Sequence, residues 1–185
     1  MRSLLIIAIT GSALVLGGCG TSTDNVTAPK SAAARDAAGD KTIASALGSD
    51  DSKFAAAAKA TGLDATLAGP GPYTVLVPSN GAFDKLPAGT LETLLKPESR
   101  ARLTKLLTGH ILPGAILAAD IGKAIDTGKG KASLATFGGG TLTATREGGR
   151  LVLTDKAGGK AAIGKSDEKL TNGVVHHLDG VLTPS

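Results

Sequence analysis

Apolar and polar positions follow two rhythms along this chain, helical through its first half and strand-like through its second. Residues 41–47 and 52–60 read as short helices, the second opening at the capping residue Ser52 with Phe54, Ala57 and Ala58 on one face. Gly62 ends it, and residues 63–67 supply one more helical turn. Gly69-Pro70-Gly71-Pro72 then stops the helix, because each proline lacks a donor and clashes with the preceding turn. Residues 73–77 form an almost unbroken apolar strand, a pattern that burial on both faces explains. Pro78-Ser79-Asn80 turns the chain into a short helical segment holding Phe83 and Leu86. Over 90–96 and 98–108 the period is again helical, with Leu91, Leu94, Leu95, Leu103, Leu106 and Leu107 inward and Glu92, Arg100, Arg102 and Lys105 outward.

Beyond a helical turn at most over 120–123, alternation takes over. Segments 133–137, 141–146 and 150–155 read as strands separated by Gly138-Gly139-Gly140 and Glu147-Gly148-Gly149, the last two making a hairpin. Thr141, Thr143 and Thr145 fall on one face of it and Leu142 and Ala144 on the other, as in a sheet with one wet side. A final strand covers 174–182. Helices gathered before strands predict an α+β domain, with several short helices against one side of a curved, mainly antiparallel sheet.

The N-terminus carries a different signal. Arg2 precedes a run over 4–16 that is apolar except at Thr10, Gly11 and Ser12, followed by Gly17, Gly18 and the only cysteine, Cys19. Residues 1–18 are expected to be a signal peptide, too short in their apolar part to cross a hydrocarbon core of roughly 30 Å. Leu16-Gly17-Gly18-Cys19 resembles a bacterial lipobox, which implies export and lipidation of Cys19; the alternative is an ordinary secretion signal with an unused thiol. Gly20 follows, not the Asp that favours inner-membrane retention in some bacteria, so the outer membrane, its periplasmic face or the cell surface stays open as the location. Residues 19–40 are small and polar apart from Val26 and are expected to be a flexible tether, the Asn25-Val26-Thr27 sequon being incidental. The domain is placed at 41–185. With Cys19 lipidated, no thiol remains for a disulfide or a thiolate metal site.

Charge narrows the partners. Without Arg2 the chain has 19 basic residues against 16 acidic, and the lysines are spread. Phe54, Tyr73, Phe83 and Phe137 are its only aromatics, so the basic stripe interleaved with stacking rings that nucleic acid requires is missing. The core must come from Leu, Val, Ile and Ala.

Four stretches carry a family resemblance: TIASAL at 42–47, YTVLVPSNGAFDKLP at 73–87, LLTGHILPG at 106–114 and NGVVHHLDGVLTP at 172–184. They resemble the fasciclin domain, a module of extracellular adhesion and cell-surface proteins. The resemblance implies a single β-wedge domain with two hallmark segments in its central strands. Asn80, His176 and Asp179 match its polar positions, with the implied role of turn and hydrogen-bond supports. Many members carry a Tyr-His pair linked to integrin binding before the Pro-Gly turn; here Gly109 replaces the tyrosine and His110 is retained as a candidate partner contact. The expected function is non-enzymatic: a lipid-anchored protein for cell adhesion or envelope interaction with an unknown protein or matrix partner. The alternative is a carrier of a small apolar ligand, a lipid or pigment, in a groove near residues 111–125.

Residues 159–166, GKAAIGKS, match the P-loop pattern literally, but the 167–170 stretch leaves no room for the helix a nucleotide site requires. His176 and His177, adjacent on a strand, point to opposite faces and cannot chelate one ion; zinc through one of them plus His110 lacks a completing carboxylate. Ser79, Ser133 and Ser166 have turn or strand contexts and no nucleophile elbow. Asp84 and Glu92 sit on solvated helical positions and do not form an acid/base pair. No catalytic residue, metal or cofactor is expected.

Overall fold

The computed structural model describes residues 40–183. The expected signal peptide, Cys19, the expected tether up to residue 39, and Pro184 and Ser185 lie outside the described residues.

Helices form the first layer. They are α1 (Ile43–Ala46), α2 (Ser52–Thr61), α3 (Leu63–Ala68), α4 (Asn80–Asp84), α5 (Thr90–Leu95) and α6 (Arg100–Thr108), with 3-10 turns at Ser49–Asp51 and Pro97–Ser99. Gly62 ends α2 at φ +79°, a left-handed conformation that glycine adopts without Cβ strain.

Two four-stranded sheets replace the single curved sheet expected from the pattern. One has the order β2-β1-β8-β7, from β1 (Tyr73–Pro78), β2 (Ile111–Pro113), β7 (Glu168–Leu170) and β8 (Gly173–Leu178). The other runs β3-β4-β5-β6, from β3 (Lys131–Ala135), β4 (Thr141–Glu147), β5 (Arg150–Thr154) and β6 (Lys160–Ala162). Both are antiparallel except for β1 and β8, the two hallmark strands, which are parallel neighbours from Tyr73↔Gly173 to Pro78↔Leu178. At Gly173 an added Cβ would fall 1.9 Å from Tyr73 O, so only glycine lets the two strands close there.

The first sheet is the middle layer, and this explains the unbroken apolar runs. Val75, Val77 and Val175 face the helices and pack with Ile43, Phe54, Leu67, Phe83, Leu103 and Leu107. Leu76 and Leu178 face the other way, into a second core with Leu112, Leu142, Leu153, Leu182 and helix α7 (Ala118–Thr127). Burial at both faces, with alternate side chains sent to different cores, removes the polar positions a half-exposed strand would show.

Helix α7 is ten residues long where the pattern suggested one turn. Gly122 interrupts the sequence signal, yet it lies buried with Ile121 and Ile125 in the helix, and an added Cβ would come 3.0 Å from the Arg146 guanidinium. Packing over β3 and β4 overrides the intrinsic cost of glycine, about 1 kcal/mol. Strands β2, β6 and β7 have three residues each, too few for alternation to register. Leu91, Leu94 and Leu95 of α5 point to the first core but are only half-buried.

Candidate functional site

The polar residues of the two hallmarks are spent on backbone. Asn80, at the start of α4, accepts from Lys53 N–H at 3.1 Å through Oδ1 and donates from Nδ2 to Ser49 O at 2.8 Å, tying α4 to the start of α2. Ser79 beside it caps α4, accepting from Ala82 N–H at 3.3 Å. His176 lies on the sheet-ward face of β8, fully buried. Its Nε2–H donates to Ile116 O at 2.9 Å and its Nδ1 accepts from Asp167 N–H at 3.1 Å, which assigns one neutral tautomer. Burial holds this ring below the usual histidine range. Asp179 accepts from Ala162 N–H at 2.7 Å and meets Arg150 at 3.4 Å, while its carbonyl takes a bond from Lys85 Nζ at 2.6 Å.

His110 corrects the expectation of a partner contact. It follows α6, and its ring has 0% exposure. Nδ1–H donates to Leu106 O at 2.9 Å, and Nε2 accepts from Leu182 N–H at 3.2 Å. The ring therefore holds the chain beyond β8 against the end of α6, and a partner has no access to it. Burial pushes its pKa down to about 4. Asp155 fastens the same C-terminal strap one residue on, accepting from Thr183 N–H at 2.8 Å and from Gly159 N–H at 2.7 Å.

His176 and His177 point to opposite faces. His177 faces the helices, half-buried, with Nδ1 at 3.2 Å from Asp51 Oδ1 and Nε2 at 3.2 Å from Glu168 Oε2. Burial raises the Asp51 carboxyl; the bond from Lys165, 2.8 Å long, lowers Glu168. The two carboxylates occupy different ring nitrogens and so straddle the imidazole without converging on a common point. Among the described residues no group of three His, Cys, Asp or Glu side chains could hold a metal ion.

The P-loop-like segment is woven into sheet edges. Its N–H groups at Gly159, Ala162, Ile163 and Gly164 donate to Asp155 Oδ1, Asp179 Oδ1, Leu151 O and His177 O, which leaves none of these four for a phosphate. Gly164 and Ser166 do line an open cleft of about 420 Å³ beside the start of α7. The Asp167 carboxylate already takes the helix's Ala118 N–H there, at 2.7 Å. After Lys160–Ala162 the chain enters β7, with no helix between. Asp84 pairs with Lys53 on the surface, and Glu92 is exposed.

Four of the apolar side chains expected to line a groove near residues 111–125 are core residues instead. Ile111, Leu112, Ile121 and Ile125 are all buried, the first in the helix-side core and the others in the sheet-side core. The residues missed by sequence reasoning are Asn172 and Asp155. Asn172 accepts from Ile43 N–H at 2.8 Å and donates to Leu67 O at 2.7 Å and Gly69 O at 2.8 Å, joining three segments. Its only signal was the Thr171-Asn172-Gly173 turn.

A helix layer over a sheet whose central pair is parallel, backed by an antiparallel second sheet, defines an α+β domain of the fasciclin type. The fasciclin domain family matches over residues 49–184, and the chain belongs to that family. It is similar to the protein sll1483 of Synechocystis sp., 35% identical over 187 residues that cover 99% of this chain and 96% of that one. Its match to the transforming growth factor-beta-induced protein ig-h3 of Sus scrofa is 42% identical and covers 70% of this chain but 17% of that protein. The match to the immunogenic protein MPB70 of Mycobacterium bovis is 32% identical over 62% of this chain and 51% of that one. Among solved structures, a FAS1 domain pair from the insect cell adhesion molecule Fasciclin I aligns with a TM-score of 0.65 at 21% identity. That alignment covers 76% of this chain and 50% of that one, and shows the fold.

Proposed function

We propose that this chain is a non-enzymatic, lipid-anchored fasciclin-domain protein that mediates adhesion or envelope contact. The observation that carries the reading is the use of Asn80, His110, His176 and Asp179 as internal ties to backbone, which makes the hallmarks scaffold and moves function to the outer surface. The alignment with a cell adhesion molecule supports the same class. Cys19 behind a short apolar run supports the anchor, and among the described residues no helix is long and apolar enough to cross a membrane. Two or three acyl chains at about 0.8 kcal/mol per buried CH₂ hold such a protein on a bilayer. Many anchored copies then turn weak contacts into avidity. Native mass spectrometry of the protein from its own envelope tests both parts. A chain mass from Cys19 plus acyl chains is expected; an unmodified thiol removes the anchor, and an additional apolar molecule released on denaturation replaces the contact role with that of a carrier.

A further inference from the structure

The second sheet has one unfinished edge. At the β3–β4 turn Thr136 N–H donates to Gly140 O at 3.0 Å. With Leu134↔Leu142 and Ala132↔Ala144 in register, the even-numbered residues of β3 bond inward to β4. The backbone groups of 131, 133, 135 and 137 therefore point away from the sheet. Lys131 N–H is taken by Gly128 O at 3.4 Å and Phe137 N–H by Ile111 O at 2.8 Å. Ser133 and Ala135, both exposed, have no acceptor for their N–H among the described residues.

The other edges are each crossed by another segment of the chain at one point or more. Phe137 covers Ile111 of β2, whose last residue is Pro113; Asp179 binds Ala162 of β6 through both its N–H and its carboxylate. Beside β7, Thr171 N–H donates to Lys41 O at 3.0 Å. An edge with unpaired donors and acceptors is a template for another strand.

Its side chains select the strand. Lys131, Ser133 and Ala135 share the face of Thr145, Thr143 and Thr141. Residues 132–145 carry no charge, and Lys131 is exposed without an ion pair among the described residues. Just past β3, Phe137 is the exposed large hydrophobic residue among the described residues, at 54%, its ring held edge-on to Tyr73 with centroids 5.7 Å apart. A fixed aromatic pair gives contact area at little entropic cost.

We propose that β3 receives an extended segment of a partner protein, added antiparallel, with an apolar side chain opposite Ala135 near Phe137 and a carboxylate four residues later opposite Lys131. Main-chain bonds to Ser133 and Ala135 hold the segment, and the two side chains set its register. The proposal rests on the reading of the domain as a contact module and specifies the chemistry of its partner.

The test is an amide-resolved NMR titration of the full chain with the peptide Thr-Val-Thr-Thr-Thr-Glu-Thr. Saturable shifts centred on Ser133 and Ala135 are expected. Ser133→Pro removes an outward donor that the monomer does not use, a substitution edge strands tolerate, and should weaken binding about 10-fold. Should that variant not fold, the charge swap decides: Lys131→Glu must bind the peptide with Lys in place of Glu better than the original. Absence of saturable shifts at millimolar peptide, shifts elsewhere, unchanged affinity in both variants, or self-association through this edge overturns the proposal. On beads, Ser133→Pro chain that still adheres to cells sinks this site and leaves the contact role; wild-type chain that does not adhere sinks the contact role whatever the peptide does.

Discussion

Acid should release the C-terminal strap through His110. In the folded protein the ring accepts from Leu182 N–H and is held at about pKa 4, against 6.5 for a free histidine, because burial penalises its charged form. The folded state therefore favours neutral His110, and the unfolded state binds the proton first. This contribution to stability is complete above pH 6.5 and is lost as pH falls from there to about 4. At roughly 1.4 kcal/mol per unit, the loss by pH 4 is about 3 kcal/mol, a large share of a typical total of about 5–15 kcal/mol. Protonation also converts Nε2 from acceptor to donor and opposes it to Leu182 N–H, so the strap is where opening begins. Urea unfolding at pH 7, 5.5 and 4 measures the effect, with His110→Gln as the variant that cannot titrate. Wild type should lose about 3 kcal/mol more than the variant across this range. Parallel profiles, or a His110 ring that titrates near 6.5 by NMR in the folded wild type, would refute the reasoning.

Asn172→Ala leaves Ile43 N–H and the Leu67 and Gly69 carbonyls without their partner and should cost about 3 kcal/mol in denaturant unfolding. Gly173→Ala drives a Cβ into Tyr73 O and should cost more than about 2 kcal/mol, with loss of amide protection across β1 and β8. Cys19→Ser should move the protein from the detergent to the aqueous phase in a partition experiment with an unchanged circular dichroism spectrum; retention in the detergent phase would argue against the lipid anchor.

Elements that bury an entire face or end at a strong stop were legible in the sequence. The helix ending at Gly62, the strand after Pro72 and the Thr141/Thr143/Thr145 hairpin all follow from periodicity and turn chemistry, and the fold class follows from their order. The division into two sheets and the parallel pairing of β1 with β8 were not legible, because alternation reports which face is buried and not which strand lies alongside. Helix α7 was hidden by Gly122, whose cost is outweighed by packing. At the site, residue types pointed to hydrogen-bonding positions but not to their depth. His110 next to an apolar run reads as exposed or buried with equal ease until Leu182 is seen to close over it. Asn172 shared its turn with a glycine and looked like punctuation.

The central claim is that this domain works by contact at its outer surface, and adhesion of beads coated with the full chain to the cells that produce it tests that claim most directly. Retention that free chain competes away, and that beads carrying denatured chain do not show, is the predicted result. Retention no greater than that of the denatured control would contradict the account.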